Sequence, residues 1–471
     1  MAIFRFIPSS IKDICLIISF FFIFYLLSHP LTSPIPTVNT VFSVFQPPPT
    51  TVTTTTIRHL LFSIASSQKS YVNRKPYIRL WYSPNSTNAV VFLDRPVTGE
   101  NSGATEESDL PPVVISGDTS RFPYTFPRGL RSAIRVARIV KEAIESRDSD
   151  DIKWYIFGDD DTVFITENLV RVLNNYDPDK WIYIGSNSES YEQNHLHSFK
   201  MAFGGGGFAI SRSLGRVLVR VLDSCLMRYP HVYGSDSRVY SCLVELGVEL
   251  TNVPGFHQVD VRGNLFGILA AHPLSPLLSL HHFDIIDPIF PGYTKLEAVR
   301  HLFKAVKHDP ARILQQTVCY DSSNSITVSV SWGYAVQVFD GNRLLPDLIE
   351  VQKTFSSWRR KENFFSSLHM FNTRDYSKNL CKSPEVYFFE DVFPDEKNSY
   401  TVYKRKVLTN CSRSNGIRNL INIKVFSGVD AEIKQINAPR RQCCEIVRPY
   451  NETMIIALRS CRTDELIAMN P

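Results

Sequence analysis

The sequence predicts an α/β domain followed by a β-rich module, behind an N-terminal membrane anchor. Three observations carry this. The apolar strand Trp154-Tyr155-Ile156-Phe157 runs into Gly158-Asp159-Asp160-Asp161, and a helix then opens at Thr166-Glu167-Asn168-Leu169. Strand, acidic turn and helix is the order of α/β folds, in which ligands sit at the carboxyl ends of strands. Beyond about residue 300, short alternating runs such as Thr327 to Val338 (TVSVSWGYAVQV) take over, a pattern of half-buried strands. Ile14 to Leu27 is apolar and uncharged, with Arg5 and Lys12 before it and no Lys or Arg after it until Arg58.

From the N-terminus, residues 1–13 read as a short cytosolic tail and 14–31 as a signal anchor, oriented by the positive charge before the run. The run is short of the roughly 20 residues of a typical span, and a cleaved signal peptide is the competing reading, although no small-x-small cleavage site follows. Residues 32–56 are rich in Pro and Thr and read as an extended stem. The domain over 57–300 opens with a buried strand (His59 to Ala65), a helix from Lys69 to about Trp81, and a second strand (Ala89 to Leu93). A polar loop follows over Thr98 to Asp109, then a helix from Arg131 to Ile144. After the acidic turn come a strand at Trp181 to Ile184, the run Gly204 to Gly207, a strand at Phe208 to Ile210 and a helix from Leu214 to Leu222. The β-rich module occupies 301–471.

Composition narrows the function. With 51 basic and 46 acidic residues, a net charge of +5 and no long basic run, the chain does not suggest a nucleic-acid partner. Of nine cysteines, all but Cys15 lie between Cys225 and Cys461, without a repeated C-x2-C zinc spacing. An even set is expected from disulfides; Cys225 with Cys242 reads as one pair, and neighbours such as Cys443 and Cys444 are expected to bond elsewhere. Sequons at Asn85, Asn410 and Asn451 fit a secretory compartment.

The spacing of Asp159 and Asp161 lets both carboxylates face one side and reach one hard cation such as Mn2+ or Mg2+. Such a cation can offset the charge on a departing diphosphate. A bare acidic pair is more often a solvated loop at a helix start, where Asp is favoured as a cap; the buried strand leading into this one weighs toward a site.

Several motifs occur together: WYIFGDDDTVFITENLVRVL, YIGSNSES, MAFGGGGFAIS, YPHVYGSDSRV, ELGVELTNVPGFHQVDVRGNLFG and HPLSPLLSLHHFDIIDPIFP, preceded by LPPVVISGDTSRF and GLRSAIRVARIV. In this order they resemble the plant branch of the Fringe-related β-1,3-glycosyltransferases, from about Ile57 to Pro291 and more loosely beyond. The resemblance implies a Rossmann-like GT-A fold and a metal-dependent, inverting enzyme of the Golgi lumen. Such an enzyme transfers a sugar from a UDP-sugar to a hydroxyl of a glycan or glycoprotein. It also implies that Asp159 and Asp161 bind the metal, that His282 (or its neighbour His281) completes the site, and that Asp160, Gly205, Gly206 and Gly207 face the donor. A plain flexible turn is the alternative for the glycines. Inversion needs a general base. Many relatives read GSDDR where this chain reads Gly234-Ser235-Asp236-Ser237-Arg238. Asp236 is therefore the candidate base, and Ser237 keeps open a catalytically inactive binding or scaffolding protein. Trp154, Tyr155 and Phe157 are expected in the core and His257 in a positioning role. Arg128, Arg131 and Arg135 are expected either at a diphosphate or on a solvated helix face.

Overall fold

Strand β1 (Leu60–Ala65) sends Leu60, Phe62 and Ile64 to one face and Leu61 and Ala65 to the other, and all are buried. This is the mark of a sheet covered on both sides. The computed structural model describes residues 18–25, 54–97, 108–360, 363–377, 379–395, 398–405, 411–428 and 439–469. The expected anchor, the stem, the loop at 98–109 and the Asn410 sequon lie wholly or largely outside them. Residues 18–25 are helical, and among the described residues no helix is long and apolar enough to cross a membrane.

The strands of the first half are β2 (Asn88–Leu93), β3 (Val113–Ile115), β4 (Trp154–Asp159), β5 (Val163–Phe164), β6 (Tyr183–Gly185), β7 (Phe208–Ser211), β8 (Leu250–Asn252), β9 (Phe256–His257), β10 (Val261–Gly263) and β11 (Ser279–Leu280). Seven form a sheet in the order β3-β2-β1-β4-β7-β6-β8. β1 to β4 run parallel where they pair, and β7 runs antiparallel to β4 and β6. Helices α1 (Gln68–Trp81), α2 (Ser132–Arg147), α3 (Thr166–Leu173), α4 (Tyr191–Leu196), α5 (Arg212–Arg228) and α6 (Ser235–Glu245) accompany it. Ser67 caps α1 by accepting from the Ser70 amide.

β4 divides its side chains as the period-two rule demands. Tyr155 and Phe157 join a core with Ile134, Val140, Leu214, Leu218 and Leu243 of α2, α5 and α6. Trp154 and Ile156 join a larger core that reaches Val328, Tyr387 and Ile456. At about 1.5–3 kcal/mol per fully buried apolar side chain, this double burial fixes the strand and hence where it ends. One core therefore runs across residue 300, where the sequence suggested a division, and residues 54–471 form one compact unit.

The second half opens with a helix at Lys295–His308. It then builds β12 (Gln316–Asp321), β13 (Ile326–Ser331), β14 (Ala335–Asp340), β15 (Val351–Gln352), β16 (Phe355–Ser357), β17 (Thr373–Arg374), β18 (Glu385–Asp395), β19 (Asn398–Arg405), β20 (Asn422–Gly428), β21 (Cys443–Val447) and β22 (Thr453–Arg459). Eight form a sheet in the order β12-β13-β14-β18-β19-β20-β22-β21. Its two outer strands are tied together by Cys319–Cys444, and Arg441 donates to the Gln316 carbonyl (3.0 Å), so the edges are covered rather than left open. Cys381–Cys411 and Cys443–Cys461 add two more staples, and Cys225–Cys242 joins α5 to α6 as expected.

Candidate active site

The main sheet delivers the acids, and a small second sheet delivers what faces them. β1 and β4 end level, with Ala65 opposite Asp159, so Ser66 and the acidic turn share one rim. In the small sheet β5-β11-β9, Leu280 pairs with both Val163 and His257. β5 starts two residues after Asp161 and β11 ends one residue before His281. That register joins parts of the chain about 120 residues apart. His281 Nε2 lies 3.2 Å from Asp161 Oδ1 and 3.7 Å from Asp159 Oδ2.

His281, rather than His282, faces the acids. The backbone at His282 is left-handed (φ 62°), which turns consecutive imidazoles to different partners. His282 stacks on Trp358 (ring centroids 4.4 Å apart), and its Nδ1 lies 3.5 Å from Asp260. The His281 Nδ1 sits 3.1 Å from the Gln258 carbonyl, an arrangement that orients Nε2 toward the acids.

Asp160 and Asp161 are buried. Asp160 accepts from the Ser66 hydroxyl (2.6 Å) and from Arg74 Nη1 (2.9 Å). Arg74 also donates to Asp161 Oδ1 (3.1 Å) and, through Nε, to Asp284 (2.8 Å). Asp161 Oδ2 has no hydrogen-bond partner among the described residues. A buried polar atom in that state costs about 1–3 kcal/mol, more when charged. Burial works to raise the Asp161 carboxyl, but His281 and Arg74 outweigh it and hold it well below the usual carboxylate range. Burial likewise opposes the charge on His281, yet Asp161 and Asp159 carry it up to about 9. Asp159, recessed in the cleft, is pushed up to about 7 by loss of hydration, with Asp161, Asp160 and Asp236 adding and His281 opposing. The cluster is thus an excess of negative charge, offset by one arginine and one histidine, with an oxygen to spare.

Asp236 stands near the start of α6. Its Oδ2 accepts from the Gly204 amide (3.2 Å) and its Oδ1 from the Ser237 amide (3.0 Å). Asp236, Gly204, Ser235 and Asp159 line one small cavity of about 50 Å³. The rest of the glycine run is closed by protein. A Cβ on Gly205 would lie 2.1 Å from the His281 ring, and one on Gly206 would lie 3.0 Å from the Gln258 amide. Gly207 has φ +88°, which favours glycine. These glycines therefore admit His281 and the segment behind it, and Gly204 is the one that faces Asp236.

Two of the three arginines on or before α2 are bonded to backbone carbonyls. Arg131 donates to the carbonyls of Thr119, Ser120 and Phe122, and Arg135 to that of Ser66 (2.7 Å). Arg128 has left-handed backbone (φ 61°). His257 positions the far wall, with Nδ1 3.0 Å from Glu189 and Nε2 2.9 Å from His272. Sequence reasoning missed Ser66, Arg74 and Gln258. Arg74 is one of four basic residues in a polar helix, with Lys69, Lys75 and Arg79, and has no local signature that singles it out. Asp284, its partner, stood inside the motif around His281. Among the described residues the one group of three metal-donor atoms within 4.8 Å of one another comes from Cys443, Cys461 and Glu465, but its two sulfurs are bonded to each other and Glu465 is held by Arg459.

With this geometry in hand, residues 193–444 match the family described as a protein of unknown function, DUF604. The chain belongs to the DUF604 family. This DUF604 chain is also 29% identical over 161 residues to a human beta-1,3-glucosyltransferase, covering 33% of the chain and 30% of that relative. The mouse beta-1,3-glucosyltransferase is 30% identical over 142 residues, which is 29% of the chain and 27% of the relative. The match therefore spans under a third of either relative's length. Among solved structures, a galactosyltransferase LgtC complex with donor and acceptor sugar analogues aligns at TM-score 0.31 and 11% identity, over 53% of this chain and 95% of the other. Mouse xyloside xylosyltransferase 1 aligns at TM-score 0.26 and 12% identity, over 42% and 84%.

Proposed function

We propose that this DUF604 chain is a glycosyltransferase of GT-A type that moves a sugar from a UDP-sugar to a hydroxyl of a glycan or glycoprotein, with inversion and a β-1,3 link. The observation that carries this reading is Asp161: a fully buried carboxylate at a strand end, one oxygen held by Arg74 and His281 and the other without a partner. Two carboxylates and an imidazole suit Mn2+ or Mg2+, and the unpaired oxygen is where such an ion would gain most. The partial match to beta-1,3-glucosyltransferases and the resemblance to Fringe-related enzymes support the same chemistry.

In this reading Asp159, Asp161 and His281 hold the ion, and His282 stands behind His281. The ion, when bound, offsets the negative charge that grows on the departing diphosphate. Asp160 is already committed to Ser66 and Arg74, so it positions the Arg74 guanidinium beside the donor. Gly205, Gly206 and Gly207 act through His281 and the backbone by keeping that wall close. Asp236 accepts the proton of the acceptor hydroxyl as it attacks the sugar on the face opposite the leaving group. Backbone amides of Gly204 and Ser237 fix its two oxygens.

The setting we propose is the Golgi lumen, behind a single N-terminal type II anchor. Four disulfides fit an oxidising compartment, and Asn85 and Asn451 are exposed for glycosylation. Ser237 favours the second reading, a donor-binding protein without turnover. Hydrolysis of a series of UDP-sugars with and without Mn2+ separates the two. The enzyme reading expects metal-dependent release of one sugar, abolished in Asp161→Ala. Donor binding with no turnover, with any acceptor, supports the second reading.

A further inference from the structure

Near Asp236 three aromatic rings form an open corner. Tyr233 is 45% exposed and Phe126 37%. Their rings meet edge to face with centroids 5.1 Å apart, while His197 stacks on Tyr233 at 5.4 Å and 20°. His197 also touches Phe203 (6.2 Å), the residue before the glycine whose amide donates to Asp236. Two short paths, one along the chain from Tyr233 and one through Phe203, thus end at the same carboxylate.

The corner is held by a buried charge. Arg238, fully buried, donates to the carbonyls of Tyr229, Pro230 and Val232, and its guanidinium lies 4.9 Å over the Tyr124 ring. The Tyr124 hydroxyl donates to the Tyr233 carbonyl (3.1 Å), and the Thr125 amide to that of Pro230 (2.9 Å). The Tyr233 and Phe126 arms of the corner are therefore tied to the same loop. That framework keeps exposed rings in fixed relation to Asp236, at a cost in buried charge that a merely solvated loop would not need.

We propose that Tyr233, Phe126 and His197 form the acceptor subsite and take a carbohydrate ring, stacking its C–H face while a hydroxyl at its edge meets Asp236; this rests on the glycosyltransferase reading above. Carbohydrate-sized ligands are held by apolar and aromatic surface with a few placed polar groups. The polar groups here are Asp236 and the His197 ring nitrogens, which have no hydrogen-bond partner among the described residues. Burial holds the His197 imidazole below its ordinary value, against the pull of Asp236, so at neutral pH it both donates and accepts.

Saturation-transfer NMR on the purified full chain, with the methyl β-glycosides of glucose, galactose, xylose and N-acetylglucosamine, tests this without requiring turnover. At least one glycoside should show saturation of its ring C–H protons with the wild type. The signal should fall at least fivefold in Tyr233→Ala and in Phe126→Ala, and return in Tyr233→Phe. Melting curves check that each variant is folded; if Tyr233→Ala is not, Phe126→Ala, on a separate segment, decides. Absence of signal with every glycoside, or signal that survives in a folded alanine variant, overturns the proposal. Calorimetry of UDP with Mn2+ on the wild type runs alongside: sugar binding without UDP binding keeps the subsite and removes the donor reading, and the converse does the opposite.

Discussion

Two buried carboxylates in this molecule are treated in opposite ways. Glu385, at the start of β18, has both oxygens occupied: Oε1 accepts from Arg413 (2.9 Å) and Oε2 from Arg405 (2.7 Å). Asp161, at the end of the acidic turn, shares one oxygen between Arg74 and His281 and leaves the other bare. Both acids are at least 97% buried as side chains, so exposure does not distinguish them. Glu385 lies in a sheet stapled by disulfides, with an arginine on each of its two oxygens. Asp161 lies where two sheets deliver an acid cluster and a histidine to one rim, and its second oxygen has no hydrogen-bond partner among the described residues. A buried acid is weak evidence of function by itself; an incompletely satisfied one at a strand end is stronger.

Removing each acid breaks or sharpens the contrast. Glu385→Ala removes the carboxylate that two largely buried arginines share and should destabilise the fold by about 3–5 kcal/mol in denaturant titrations. Asp161→Ala should cost less, about 1–3 kcal/mol, because Arg74 keeps Asp160 and Asp284 and His281 keeps Asp159. Equal losses would make Asp161 a structural acid like Glu385. Cys225→Ser with Cys242→Ser opens a short loop and should lower stability by about 3 kcal/mol, with no change in metal affinity, since that staple lies on the helices behind the sheet. Gly205→Ala should act chiefly on the site. Its Cβ would fall 2.1 Å from the His281 ring, and displacing that ring should weaken Mn2+ binding by about 10–100-fold, measured by calorimetry. Unchanged affinity would show that His281 is not a ligand.

Much of the main sheet was legible because its signals are local. β1, β2, β4 and β7 are apolar runs, and helices α1, α2 and α5 begin within two residues of where periodicity put them. Asp159 to Asp161 could be seen as a cluster because its members are consecutive. His281 against His282 could not be decided from adjacency. The choice depends on a left-handed backbone at His282 and on a small sheet whose strands are two residues long, too short to leave a periodic trace. Arg74 was invisible for the same reason: its importance is a matter of reach from a helix to three acids far away in sequence. The glycine run was visible but its purpose was not. Room for a ligand and room for an imidazole look alike until the histidine's position is known. The closing of the eight-stranded sheet by Cys319 and Cys444 was likewise hidden, since eight cysteines allow about 105 pairings.

The proposed function requires Asp161 to give an oxygen to a divalent cation. Titrating the full chain with Mn2+ in the presence of UDP, and following free Mn2+ by electron paramagnetic resonance, tests it most directly. One ion bound per wild-type chain, none in Asp161→Asn, and undiminished binding in a folded Glu385→Gln variant is the predicted result. Binding that survives in Asp161→Asn, or no binding by the wild type, would contradict it.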